Sequence, residues 1–234
     1  MQTAGDRPSS GSTGGADPRT PREGDPMDRT DHHHTHVLLL RGVNVGGRNR
    51  VPKAELAELA AEAGAEDATV HLNSGNVLCR IGERRPAAEV AAMLSRLILA
   101  RLDVETPVHE ATAAEIASLL DAWEASDLAP TAGEVADGRF LPRQAHLVLL
   151  DSAPDPDDAA RLMAEDVGQD RCLATGRGVW IRYAVDTRSS KLTLPRIERI
   201  LGRSGTARNL NTVKVLAGRP DPKKDLPRME LRRD

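Results

Sequence analysis

Apolar and polar positions along this chain keep two rhythms, one of strands and one of helices. The run His36–Arg41, HVLLLR, predicts a strand. Pro52–Ala63 follows as a helix, with proline in its first turn, Leu56, Leu59 and Ala60 on one face and Gly64 closing it. Thr69–Leu72 and Val77–Ile81 are two short strands joined by NSGN, a compact hairpin signal. Across Pro86–Leu102, Val90, Met93, Leu94, Leu97 and Ile98 recur every three or four positions, which predicts a helix. A strand over Thr106–Glu110 comes next. The following helix is capped by Thr112, with Glu115 three residues on, and presents Ile116, Leu119, Leu120 and Trp123 for burial.

Ser126–Arg143 is loop-like, and then the order begins again. Ala145–Leu150 predicts a strand, and Asp155-Pro156 opens a helix that Gly168 ends. Cys172–Ala174 and Val179–Tyr183 form a hairpin around TGRG. A helix carrying Ile197, Ile200 and Leu201 stops at Gly202, and Thr206–Arg208 is a last edge strand before a helix capped by Asn209. Twice the order is strand, helix, strand, strand, helix, strand, the split βαβ pattern of ferredoxin-like domains. The expected fold is therefore α+β: two tandem ferredoxin-like βαββαβ domains with antiparallel sheets, at 36–125 and 145–218, joined by a linker at 126–144. Residues 1–35 hold almost nothing apolar and are expected to form a disordered tail, and 219–234 a charged, frayed end.

This topology brings distant loops together. The first and second strands run parallel with the third between them, so GVNVGGRN and NSGN should emerge at the same end of the sheet.

Composition narrows the function. Phe140, Trp123, Trp180 and Tyr183 are the only aromatic residues, too few for a reader that stacks bases. Cys79 and Cys172 both sit in apolar segments, as buried thiols in a reducing cytoplasm would. No apolar run approaches ~18 residues, so no membrane span is expected. Net charge is −3, unevenly spread: Val51–Gly138 is acidic and Gly176–Lys214 is basic. The tract His32-His33-His34-Thr35-His36 lacks a preorganised shell, and no metal site is expected from it.

Two constellations carry candidate chemistry. The first is Arg41, Asn44, Gly46, Gly47 and Arg48 on the loop after the first strand, with Asn73, Ser74 and Asn76 on the hairpin. Glycines let backbone N–H groups converge, the helix near Pro52 adds a positive end, and arginine forks onto phosphate or carboxylate. The same residues equally suit tight turns, where Gly and Asn supply positive φ and Asn ties loops together. If the loop is a cradle, Arg41 should point towards the NSGN hairpin. The second constellation is Arg188, Ser189, Ser190 and Lys191 with Arg208, Asn209, Asn211 and Thr212, basic and hydroxyl-rich near helix starts. Neither contains a P-loop or a G-x-G-x-x-G fingerprint, and no cofactor is expected. No G-x-S-x-G, H-E-x-x-H or C-x-x-C motif occurs, so no enzyme class is assigned.

In order and spacing, the motifs LRGVNVGG, NSGN, SKLT at Ser190–Thr193 and RNLNT at Arg208–Thr212 resemble the domain-of-unknown-function 1697 family over about Val37–Leu216. The resemblance implies tandem ferredoxin-like domains and no established activity. Lys53 and Leu210 depart from it, standing where a hydrophobic residue and an aromatic one are expected. Pro195 falls early in its helix and makes Thr193 the expected cap. The preferred expectation is a cytoplasmic protein that binds a phosphorylated small molecule or nucleotide end through the first constellation. Its rivals are a nucleic-acid-binding module using Gly176–Lys214 and an interaction protein whose acidic and basic halves pair within a dimer.

Overall fold

A strand buried on both faces must lie inside a sheet covered on two sides, and β1 (His36–Leu40) is one: Val37 to Leu40 are all buried. The computed structural model describes residues 34–219. After β1 come α1 (Lys53–Ala63), β2 (Glu66–His71), β3 (Asn76–Arg80), α2 (Ala87–Leu102) and β4 (Val108–Thr112). The pattern repeats as β5 (Ala145–Leu150), α5 (Pro156–Met163), β6 (Arg171–Thr175), β7 (Gly178–Arg182), α6 (Leu194–Leu201) and β8 (Gly205–Asn209). The sheets pair in the same order, β2-β3-β1-β4 and β6-β7-β5-β8, with every neighbouring pair antiparallel. The chain is α+β, with two ferredoxin-like units.

One further helix follows each unit, α3 (Ala113–Glu124) after β4 and α7 (Leu210–Leu216) after β8. Alternation along each strand decides what it covers. Leu38 and Leu40, with Val77 and Cys79, pack under α1 and α2 against Leu56, Leu59, Leu94 and Ile98. Val148, Leu150, Val179 and Ile181 do the same under α5 and α6. The opposite faces share a third layer, in which Val37, Leu39, Leu147, Leu149 and Trp180 meet Leu119, Leu120 and Trp123 of α3 and Val213 and Leu216 of α7. Trp123 and Trp180 stack with centroids 4.9 Å apart, and the Trp180 indole donates to the Leu119 carbonyl at 2.8 Å. The units therefore share one apolar layer.

Several elements differ from expectation, each for a local reason. The 126–144 stretch is packed: Leu128 and Phe140 are buried in the shared layer, and α4 (Ala132–Ala136) sits inside it on a Thr131/Glu134 capping box. Five residues are too few for periodicity to reveal. The Arg182 guanidinium lies over the Phe140 ring and pairs with Glu134 at 2.5 Å. Helix α5 stops at Met163 rather than Gly168; only Leu162 of the helix is buried, and beyond it a single apolar residue, Val167, packs on the core among polar neighbours. Strand β2 starts three residues early, with an irregularity between Glu66 and Thr69 where Asp67 takes φ 51°. Leu72 is exposed at φ 58° in the turn, and Met93 is partly exposed on α2. Strand β4 runs two residues later than expected. Both cysteines are free, and burial pushes the thiols up to about 12 for Cys79 and about 11 for Cys172. Among the described residues no helix is long and apolar enough to cross a membrane.

The expected tails lie outside the described residues, apart from His34, Thr35 and Arg219. These three are tied down. Thr35 donates its N–H to the Cys79 carbonyl at 3.0 Å and accepts from Ala113 at 2.8 Å. His34 bonds the Leu216 carbonyl at 2.7 Å, and Arg219 pairs with Asp121 at 2.5 Å.

His146 on β5 sits edge-on to Tyr183, with its Nδ1 buried and unpartnered. Burial lowers its pKa from 6.5 to about 4, so the fold holds the neutral ring. Between about pH 6.5 and 5 carboxylates stay ionised in both states, while the unfolded chain takes up a proton at His146 and the native chain does not. Stability is thus complete above about pH 6.5 and is lost as pH falls towards about 4. The melting temperature should drop from pH 7 to about 5, and His146→Gln should drop less over the same interval.

Candidate anion site

The loop after β1 folds back as a small arm. Asn44 N–H donates to the Asn49 carbonyl at 3.0 Å and Arg48 N–H to Val45 at 3.1 Å, with Gly46 at φ 58° and Gly47 at φ 77° turning the tip. Two successive positive φ angles are what a two-residue hairpin turn demands. Asn44 holds the base. Its amide donates to Val51 O at 3.0 Å and to Asn73 O at 2.6 Å, and its Oδ1 accepts from Val51 N–H at 2.9 Å. Arm and hairpin are neighbours, as the strand order requires.

Beneath them the NSGN turn is tightly filled. Leu40 N–H donates to the Gly75 carbonyl at 2.8 Å. Gly75 lies at φ 71°, and a Cβ there would stand 2.7 Å from Leu40 Cβ and from Val43 Cγ2. Asn76 is fully buried and donates to His71 O and Ser74 Oγ, both at 2.9 Å. Asn73 and Ser74 are exposed above it.

Arg208 supports this turn from the second unit. The strand pairing puts Leu147 opposite Arg208, so its side chain enters the shared layer, where it is 9 % exposed. Its Nε donates to Asn76 Oδ1. Its Nη2 donates to Leu40 O at 2.7 Å and Ser74 O at 3.1 Å, and its Nη1 to Thr206 Oγ1 at 2.8 Å and Ala207 O at 2.9 Å. Every acceptor is neutral. Burial lowers the Arg208 pKa to about 10, which still leaves it charged at neutral pH.

Arg41 points elsewhere. Its Nη2 donates to Glu198 on α6 at 2.7 Å and its Nη1 to Ser204 Oγ at 3.1 Å, while Glu198 also accepts the Gly205 N–H at 2.8 Å. The expected approach of its guanidinium to NSGN is replaced by an ion pair to the other unit. The buried Thr106 hydroxyl fixes the Arg41 backbone from both sides, accepting its N–H at 3.2 Å and donating to its carbonyl at 2.8 Å.

The second constellation is dispersed. Arg208 joins the first group, Asn209 caps α7 by accepting Thr212 N–H at 3.0 Å, and Ser190 accepts Leu192 N–H at 2.9 Å. Thr193 takes the cap position of α6 without a side-chain bond. Lys191 and Asn211 are exposed. The basic stretch is also divided: Arg177, Arg182 and Arg196 pair with Glu115, Glu134 and Glu165.

Motif spacing gave no sign of Thr106, Glu198 or Ser204. One signal was present, in that Thr206 and Arg208 alternate on the same face of a strand whose inner face should be apolar.

A family described as "Protein of unknown function (DUF1697)" matches residues 34–180, well over half of the chain. The chain belongs to the DUF1697 family. The match covers the arm and the NSGN turn, while SKLT and RNLNT lie beyond it. Among solved structures, the chain resembles the conserved bacterial protein SP0830 from Streptococcus pneumoniae, at 19 % identity and a TM-score of 0.55, covering 79 % of this chain and 97 % of that one. At that identity the likeness establishes the fold. No curated protein matches the chain.

Replacing Arg208 by Met keeps the bulk but removes every donor, leaving Ser74 O and Asn76 Oδ1 without this partner and Leu40 O with only the Thr206 hydroxyl at 3.4 Å. Arg208→Met should lower unfolding free energy by about 3 kcal/mol or more in urea titration. Amide exchange should quicken first in residues 73–76.

Proposed function

We propose that this protein binds a small anionic or phosphorylated ligand, such as a nucleotide or sugar phosphate, on the outer face of the arm and the NSGN turn. The observation that carries this reading is the buried Arg208 cation, which lies directly behind the turn with no carboxylate among its partners. A buried charge met only by neutral oxygens leaves a positive potential at the surface it backs.

The outer surface is suited to an anion. Arg48, Arg50 and Lys53 are exposed, and no described carboxylate pairs with them. Among the described residues nothing accepts from the Gly46 and Gly47 N–H groups at the tip, and α1 begins without a side-chain cap. Asn73 and Ser74 add donors on the other side. In this reading Asn44 and Asn76 shape the site and Arg208 charges it from within, and the exposed groups touch the ligand.

The test is calorimetric titration with inorganic phosphate, AMP and glucose 6-phosphate. At least one should bind saturably. Arg48→Ala/Arg50→Ala/Lys53→Ala should weaken it by about one to two decades with the melting temperature kept. Arg41→Ala should lower stability, since Glu198 loses its cationic partner and keeps only the Gly205 N–H, and spare the affinity of the folded protein. Absence of binding by all three probes, or equal binding by the triple variant, would refute the proposal.

A further inference from the structure

The arm and the NSGN turn expose apolar side chains beside their basic ones. Val45 is 66 % exposed on the arm, and Leu72 is 50 % exposed at the start of the turn. The Asn44 amide, bonded to Asn73 O at 2.6 Å, ties the two segments together one residue away from each. Loops that needed only turn chemistry would be polar at both positions.

Leu72 carries a second mark. It stands at φ 58°, in the left-handed region that glycine or asparagine enters at far less cost. Its side chain gains little packing in return, since half of it faces solvent. Backbone strain that the fold does not repay is characteristic of binding sites.

The arm itself sets a spacing. Val45 and Arg48 are bridge partners on either side of the Gly46-Gly47 tip. Directly opposed residues of an antiparallel pair project from the same face, with Cβ atoms about 5 Å apart. One face of the arm therefore offers a cation and an apolar group side by side. Arg50 and Lys53 are exposed on the chain leading to α1, and the buried Arg208 stands behind the neighbouring turn.

An inorganic anion would use only the charge, and a sugar phosphate would lay hydroxyl groups against the apolar side chains. A nucleotide meets both parts. Its phosphate suits the arginine, and one face of its base suits branched aliphatic side chains through dispersion contacts. The aromatic residues are all buried, so aliphatic side chains serve as the platform. Asn73 and Ser74, exposed next to Leu72, carry donors and acceptors for the edge of the base.

We infer that the ligand of the arm site is a nucleotide, held by its phosphate at Arg48 and by its base on Val45 and Leu72. This rests on the anion site proposed above and narrows its ligand class.

Calorimetry on the intact protein compares AMP with ribose 5-phosphate, which lacks the base, and with adenosine, which lacks the phosphate. AMP should bind about tenfold more tightly than ribose 5-phosphate, and adenosine more weakly than AMP. Leu72→Asn suits the left-handed backbone, so its melting temperature should be no lower than that of the native chain. Combined with Val45→Thr, it should bring AMP to within about twofold of ribose 5-phosphate. Equal affinity of the native chain for AMP and ribose 5-phosphate overturns the nucleotide assignment and leaves the anion site standing. An unchanged AMP preference in the double variant does the same. If neither phosphate binds, the anion site and its ligand class fall together.

Discussion

One buried guanidinium links the two halves of this protein. Arg208 leaves β8, crosses the shared apolar layer and spends its donors on Asn76 and on the carbonyls of Leu40 and Ser74. Those carbonyls end β1 and shape the NSGN turn, so a side chain of the second unit fixes the local structure of the first. Desolvating a charge is expensive, and hydrogen bonds to neutral acceptors offset only part of that cost. The turn, its fully buried asparagine and the glycine pressed against Leu40 are arranged around this group.

The remaining polar contacts between units follow from the same geometry. Two sheets that share one layer bring their loop ends together, and chain polarity must be satisfied there. Arg41 with Glu198, Thr206 with Leu40 O, and Arg177 with Glu110 and Glu115 all lie at this seam. The repeat is close in the backbone and broken in the side chains.

The shared layer also explains why 126–144 is structured. A chain joining two independent domains could remain polar and loose, but this one runs past an apolar surface that both sheets contribute to. Leu128, Phe140 and the Arg182–Glu134 pair seal it.

Much of the fold was legible in the sequence because it rests on interactions a few residues apart. Apolar spacing set α2 and α3, Thr112 and Asn209 acted as caps, and glycine marked the ends of α1 and α6. Strand order then placed the arm beside the NSGN turn, and the Asn44–Asn73 bond joins them. The direction of the long side chains was not legible. Arg41 and Glu198 are 157 residues apart, and an exposed loop arginine has many rotamers of similar energy until a distant carboxylate selects one. Arg208 was grouped with Lys191 and Asn209 rather than with the NSGN turn, since only the packing of one sheet against the other decides which face of β8 is inside. Sequence periodicity determined the elements and their order; tertiary packing decided which polar groups were buried and which were left exposed.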